Sequence, residues 1–331
     1  MAQTAITGPS DTAGLICGFT LNAGTFYPVQ WEARACVGPA HPPTWLHFNL
    51  VDARASHWIA TIADIPEEAR DLLLDRDPHI RCKSLDDGLA LVIADLHHDF
   101  TGDPEDFGVL RVYVDRHCMI SGRYHPLRAI DHLRRDVLAG FEASSLPLLF
   151  ARLIFSINSC FHELVQSLSD RIDEAEDDIL AGKLHEYGAE LGGIRRLLAR
   201  LRRHMGAGRQ ALQQGVAGMH HWCDEEETDA LRQAIERFEG TMQDLELVQE
   251  RTRLLQEEIG SRLNEATNRN LYILSLVTVV LLPINLITGI FGMNTGGLPG
   301  RESDAGFWWV LFLMIVAVVV AVRILNSRRI L

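Results

Sequence analysis

The residues best placed to do chemistry in this 331-residue chain form a stripe. Ser275, Thr278, Leu282, Asn285 and Gly289 step by three and four through an apolar segment, which puts them on one helical face. Hydroxyl, amide and carbonyl oxygens can steady a hydrated ion. They do not strip the water from a divalent cation, which takes carboxylate, imidazole or thiolate. Between Leu271 and Phe291 there is no Asp, Glu, Lys, Arg, His or Cys, so no titratable relay carries a proton along that segment. Small and hydroxylated residues also serve helix packing, which is the other use of such a stripe. A single helix encloses nothing, so a pore requires several copies.

Other groups offer different chemistry. His220, His221, Cys223 and Asp224 combine imidazole, thiolate and carboxylate, donors that suit zinc. Neighbours on a helix point about 100° apart, so one ion needs a bend or a second chain; an ordinary polar junction is the alternative. Glu302 and Asp304 are the only acids between the two apolar segments near the C-terminus. In several copies they gather cations and take up protons as the pH falls; alone they are a solvated loop. Asp170, Asp173, Glu174, Glu176, Asp177 and Asp178 attract cations weakly if they face a shared lumen, and otherwise form a solvated helix face. The basic run Arg195–Arg203 reads as their partner on the next antiparallel helix. His97-His98-Asp99 reads as a surface turn. The chain has no phosphate-binding Walker loop, no Ser-His-Asp arrangement and no zinc-protease motif, which argues against an ATP-driven pump and against an enzyme.

Two segments must position the stripe. Leu271–Phe291 is uncharged over 21 residues. A helix rises about 1.5 Å per residue, so roughly 20 residues cross a bilayer core of about 30 Å. Phe307–Val322 adds 16 apolar residues, extended by Ile324 and Leu325 beyond Arg323, which can snorkel. Phe307, Trp308 and Trp309 suit one interface and Tyr272 the other. Arg262 and Arg269 precede the first span, Arg323, Arg328 and Arg329 close the second, and the loop holds only Arg301. This asymmetry predicts cytoplasmic termini and an external loop. The N-terminus shows neither a basic nor a long apolar region, so no cleavable signal is expected.

Of the 31 Lys+Arg and 44 Asp+Glu, 27 and 42 lie in the first 270 residues, a formal −15 against −13 for the whole chain. So acidic a region excludes nucleic acid as its partner. Cys17, Cys36, Cys82, Cys118, Cys160 and Cys223 are scattered without a Cys-x-x-Cys, as expected of reduced thiols.

Residues 1–13 are small and polar and read as disordered. Short β patterns at Leu15–Leu21, Trp45–Val51, Leu89–Asp95, Val109–Val114 and Cys118–Ser121, with helices near Pro66–Leu74 and Pro126–Leu138, predict an α/β domain over 14–142. Long antiparallel helices follow over 145–223: one over Leu146–Leu180, and one over Ala189–Gln214 that breaks at Gly215 and Gly218. Apolar residues from Leu231 to Ile259 recur at helical spacing, and Asp224–Leu282 holds no Pro. One helix, roughly 100 Å long, is therefore expected to run as a stalk (224–270) into the first span (271–291). The loop 292–306, the second span (307–325) and a tail (326–331) complete the chain. The stalk face is expected to pack on copies of itself or on the preceding helices.

Gly292-Met293-Asn294, placed after Thr288-Gly289-Ile290-Phe291 and between two C-terminal spans, resembles the signature of the CorA family of divalent-cation transporters. The next residues, Thr295-Gly296-Gly297-Leu298-Pro299-Gly300, are similar to the Gly-Gly-Ile-Pro-Gly extension of its ZntB zinc-transport branch. The magnesium-transporting branch more often has an aromatic and acidic loop there. Leu298 stands where Ile is commoner, and Met293 keeps the CorA-type tripeptide. The resemblance covers the architecture of the whole chain. It implies a homopentameric funnel in a bacterial inner membrane, with first spans lining a central pore and the stripe as the pore face. Gly292, Met293 and Asn294 then form the outer mouth, where Asn294 meets the incoming hydrated ion. The implied cargo is Zn2+, with Mg2+, Co2+, Ni2+ and Cd2+ as further candidates. The implied partners are other copies, divalent cations and lipid, with no cofactor. Proton-coupled uptake has been proposed for that branch, and efflux argued. The rival readings are a Mg2+/Co2+ channel gated by cytoplasmic metal, and a membrane-anchored sensor that conducts nothing.

Overall fold

The computed structural model describes residues 13–29, 37–99, 107–181, 187–219, 221–293 and 305–327. The segment expected to be disordered falls almost wholly outside these residues, as do His220, Asn294, Glu302 and Asp304. The chain divides into two compact units, residues 1–255 and 256–331.

The first unit is built on a seven-stranded sheet. Its strands are β1 (Leu15–Asn22), β2 (Thr25–Pro28), β3 (Thr44–Asn49), β4 (Arg81–Ser84), β5 (Gly88–Leu96), β6 (Phe107–Asp115) and β7 (Cys118–Arg123). They lie in the order β2-β1-β3-β7-β6-β5-β4. Among the described residues only β3 and β7 pair in parallel. β5 is the sequence GLALVIADL and is buried along its whole length, as a strand covered on both faces must be. Helices α1 (Ala53–Thr61) and α2 (Glu67–Leu74) close one face over Leu46, Phe48, Val92 and Ile120. The opposite face, with Leu89 and Ile93, receives α5 (Tyr187–Met219).

Three elements escaped the sequence patterns. β2 and β4 have four residues each and form the two sheet edges. Edges are kept short because unpaired backbone invites foreign strands, and four residues carry little periodicity. α1 starts where Asp52 accepts a hydrogen bond from the Arg54 amide at 2.9 Å, a cap without an acidic first turn to advertise it. The expected break at Gly215 is corrected: α5 runs on through Gly215 and Gly218 to Met219. These glycines serve close approach. A Cβ at 215 would lie 2.7 Å from Cys82 Sγ and 2.8 Å from Leu89 Cδ1, and one at 218 would lie 2.8 Å from Ser84 Cβ. Their bare backbone lets α5 settle on β4 and β5.

α3 (Arg128–Leu138) is anchored by a buried carboxylate. Asp95, at the end of β5, accepts hydrogen bonds from the amides of Leu96 at 2.7 Å and Ala129 at 3.0 Å. Burial outweighs these bonds and pushes its pKa up to about 7. The folded chain therefore holds this proton to higher pH than the unfolded chain does. Stability from that difference is full below the ordinary carboxylate pKa and is lost as the pH rises towards 7. In Asp95→Asn, whose amide oxygen still caps α3, thermal unfolding should gain on wild type as the pH is raised from 4 to 7, by an amount on the order of 4 kcal/mol at most. A constant gap across that range would show that Asp95 keeps an ordinary pKa.

α4 (Leu146–Leu180) starts at Ser145, with Pro147 in its first turn. It is long and apolar enough to cross a bilayer, yet 67% of its apolar window is buried within the unit. α6 (Glu225–Phe291) is continuous over 67 residues. Leu231, Ile235, Phe238, Leu245 and Val248 are all buried, and the preceding helices bury them. Phe161 meets Phe238 edge to face at 5.9 Å. His162 lies 3.7 Å from Asp244, and Arg251 binds Asp173 and Glu176, so α4 and α6 run parallel. Arg202 lies 3.2 Å from Glu246 and Arg209 3.2 Å from Glu239, so α5 runs against them. Members of the acidic and basic runs are thus engaged by α6, a third partner beyond the pairing expected between the two runs.

Candidate cation path

The second unit holds the C-terminal part of α6 and α7 (Gly306–Ser327), both of spanning length and almost wholly exposed in the single chain. Pro283 lies inside α6 without ending it. Ser275, Thr278, Leu282, Asn285 and Gly289 are all exposed. Leu276, Val279, Val280, Pro283, Ile284 and Ile287 form the shielded face, with Ile287 only 8% exposed. At 3.6 residues per turn the two sets are centred about 150° apart. The polar stripe is therefore not the face that the chain covers for itself. α7 has a half-shielded face of its own, at Val310, Met314, Ala317, Val318 and Ala321.

The hydroxyl geometry matters for an ion. Thr278 Oγ1 donates to the Leu274 carbonyl at 2.8 Å, and Thr288 Oγ1 to the Ile284 carbonyl at 2.8 Å. Once the hydroxyl proton is committed to the helix backbone, only oxygen lone pairs face outward. At Thr278 such an oxygen can accept from the water shell of a cation, while the exposed Asn285 side chain offers both an amide oxygen and N–H donors.

The helix ends at the tripeptide. The Gly292 amide donates to the Thr288 carbonyl at 2.8 Å, and the Met293 amide reaches the Ile290 carbonyl at 3.4 Å. A Cβ at Gly292 would stand 2.8 Å from the Thr288 oxygen. A side chain at 292 would force that carbonyl or the last turn of α6 to shift. Met293 is exposed. Phe307, Trp308 and Trp309 open α7, each about 70% exposed, as suits a membrane–water boundary.

The other sequence candidates fare differently. Asp224 and Glu227 form a reciprocal capping box at the start of α6, through Asp224 N–Glu227 Oε2 at 2.9 Å and Glu227 N–Asp224 Oδ1 at 2.8 Å. Burial pushes the Cys223 thiol up to about 12, against the thiolate that zinc needs. Among the described residues no group of three His, Cys, Asp or Glu is placed to hold a metal. His98 lies 3.3 Å from Asp131 of α3, and the ring of His97, half-buried, packs 5.2 Å from that of His125.

A mixed α/β N-terminal unit, long helices and two apolar C-terminal helices joined at Gly-Met-Asn define a membrane protein of the transporter class. The sequence profile of the CorA-like Mg2+ transporter proteins matches residues 42–329, and the chain belongs to the CorA family. It is accordingly a transporter-family member and not an enzyme. It is 27% identical to the zinc transport protein ZntB of Yersinia enterocolitica over 85% of this chain and 86% of that protein. It is 29% identical to the divalent cation transporter CmaX of Pseudomonas aeruginosa over 92% of this chain and 93% of that one. The solved structure of full-length CmaX superimposes with a TM-score of 0.82 at 28% identity, covering 97% of this chain and all of that one.

Proposed function

We propose that this protein is a homopentameric transporter that moves divalent cations, Zn2+ first among them, along a pore lined by α6. Both termini are cytoplasmic, and the loop 292–306 lies outside. The observation that carries this reading is the neutral, oxygen-bearing stripe of α6. It lies opposite the shielded face and leads to Gly292-Met293-Asn294. Five such faces around an axis would supply oxygens to a partly hydrated ion without a fixed charge to trap it. Zinc is supported by the Gly296-Gly297-Leu298-Pro299-Gly300 extension and by the zinc-transport name of one relative.

A second reading, Mg2+ or Co2+ passage controlled by cytoplasmic metal, is supported by the magnesium-transporter description of the matching family. It is also supported by the hard oxygen character of the stripe. Flux into liposomes separates the two. Zinc flux without magnesium flux supports the first. Magnesium flux suppressed by internal magnesium supports the second. Failure of every divalent to cross leaves a membrane-anchored sensor.

Direction and coupling are read in the same vesicles with pH gradients of both signs. With no Asp, Glu, Lys, Arg, His or Cys from Leu271 to Phe291, coupling depends on groups at the pore ends. The double change Glu302→Gln, Asp304→Asn should lower zinc uptake mainly at low ionic strength, because salt screens an exposed ring. It should also flatten the pH profile. Unchanged salt and pH profiles would make the loop passive.

A further inference from the structure

A cavity of about 560 Å3 opens beside the sheet, with Arg76, His97, Arg111, Tyr124 and His125 as its polar lining. It has the size of a small-metabolite pocket. Its chemistry runs against the rest of the chain: the net charge is −13, yet among the described residues no carboxylate lines this wall.

Arg111 is the centre of it. The residue is 2% exposed. Its Nε donates to the Asp75 carbonyl at 2.7 Å and its Nη2 to the Asp77 carbonyl at 3.2 Å. Its guanidinium carbon lies 5.0 Å from the centre of the Tyr124 ring. The carboxylates of Asp75 and Asp77 turn instead to Arg81, at 2.7 and 3.5 Å. The hydrogen bonds of Arg111 are thus to neutral carbonyls, Asp75 and Asp77 act on it only at longer range, and burial outweighs them and holds its pKa below the ordinary arginine value. A buried cation whose nearest carboxylates are engaged by another arginine gains from an anion in direct contact. Arg76 shares the Tyr124 ring, 6.0 Å from its centre. Gly108 makes room for the imidazole: a Cβ there would lie 2.8 Å from His97 Cδ2 and 2.4 Å from Leu127 Cδ2.

We propose that this cavity binds a small organic phosphate from the surrounding solution. The phosphate sits against Arg111 and the imidazoles, and the organic part lies along Phe107. A planar guanidinium locked by its own carbonyl contacts is preorganised for a phosphate oxygen. The apolar remainder of the wall has no use for a bare inorganic ion.

The test is calorimetric titration of the purified full-length protein with AMP, a phosphomonoester that chelates divalent cations too weakly to compete for cargo. Saturable binding of one AMP per chain is expected, with none for adenosine. Arg76→Gln, an exposed position that does not threaten folding, should weaken AMP binding by about tenfold, the effect of one charge-assisted hydrogen bond. Arg111→Lys, which keeps the charge but loses the planar fork, should weaken it by at least as much. No saturable AMP binding at millimolar concentration would overturn the proposal, as would binding that neither variant weakens. Inorganic phosphate binding as tightly as AMP would overturn the assignment to an organic ligand.

Discussion

Asn294→Ala is expected to remove most zinc flux while the oligomer still assembles. The residue follows in sequence on the end of α6, where the Gly292 amide still donates to the Thr288 carbonyl at 2.8 Å. In a ring of copies its side-chain amides would offer neutral oxygens to the water shell of an arriving ion. A hydrogen bond to a charged species is worth about 1.5–3 kcal/mol, so losing the ring should lower flux roughly tenfold or more. Alanine removes no apolar packing, so the size of the detergent-solubilised oligomer, measured by light scattering, should not change. Wild-type flux in that variant would take Asn294 out of the mechanism. Loss of flux together with loss of the oligomer would make it an assembly residue.

Cysteines placed at 278 and 285 should react with a water-soluble thiol reagent from the aqueous path, at least about tenfold faster than cysteines at 281 and 284. A thiol must ionise in water to react, and lipid-facing or packed positions forbid that. Ile284 belongs to the shielded face of α6, whereas Thr278 and Asn285 are exposed on the other. Leu281 is also exposed in the single chain and is the more demanding control, because only a neighbouring helix or lipid would protect it. The native background is favourable. Cys118 and Cys160 are buried, and burial pushes the Cys17 and Cys82 thiols, like that of Cys223, up to about 12. A Cys36→Ser background deals with the remaining thiol. Equal labelling at all four positions would remove the stripe as the pore face.

The membrane end of this protein is legible in its sequence for a physical reason. A bilayer imposes length, apolarity and charge asymmetry together, and Leu271–Phe291 meets all three. The same holds for the long helices, where Leu231, Ile235 and Phe238 announce a face at a period that only a helix has. Legibility fails where the cause is tertiary. Gly215 and Gly218 look like helix breakers along the chain, but they exist because Leu89 and Ser84 approach from other elements. β4 has the sequence RCKS and is a strand only because β5 offers it an edge. The cavity around Arg111 draws on separate stretches of chain that share no spacing, so no motif could have revealed it. His97 and His125 are neighbours only in the folded chain, where their rings lie 5.2 Å apart. The outer loop acids Glu302 and Asp304 were read from the sequence alone and rest on it still.

The parallel pairing of β3 with β7 also sets a clock. β3 is joined to β7 across 74 residues, as in the bond between His47 and Ser121 at 2.9 Å. While the chain is being synthesised, β2, β1 and β3 can associate early, but the far edge of β3 stays unpaired until β7 has emerged. At about 5–20 residues per second that wait is roughly 4–15 s. During it, Trp45 and Phe48, fully buried in the finished fold, lack their β7 neighbours Met119 and Gly122. An open edge beside large apolar side chains is where foreign strands add. Ribosome pausing between codons 50 and 118 lengthens this window and ribosome speed shortens it, so the yield of folded protein is expected to fall when slow codons are placed there.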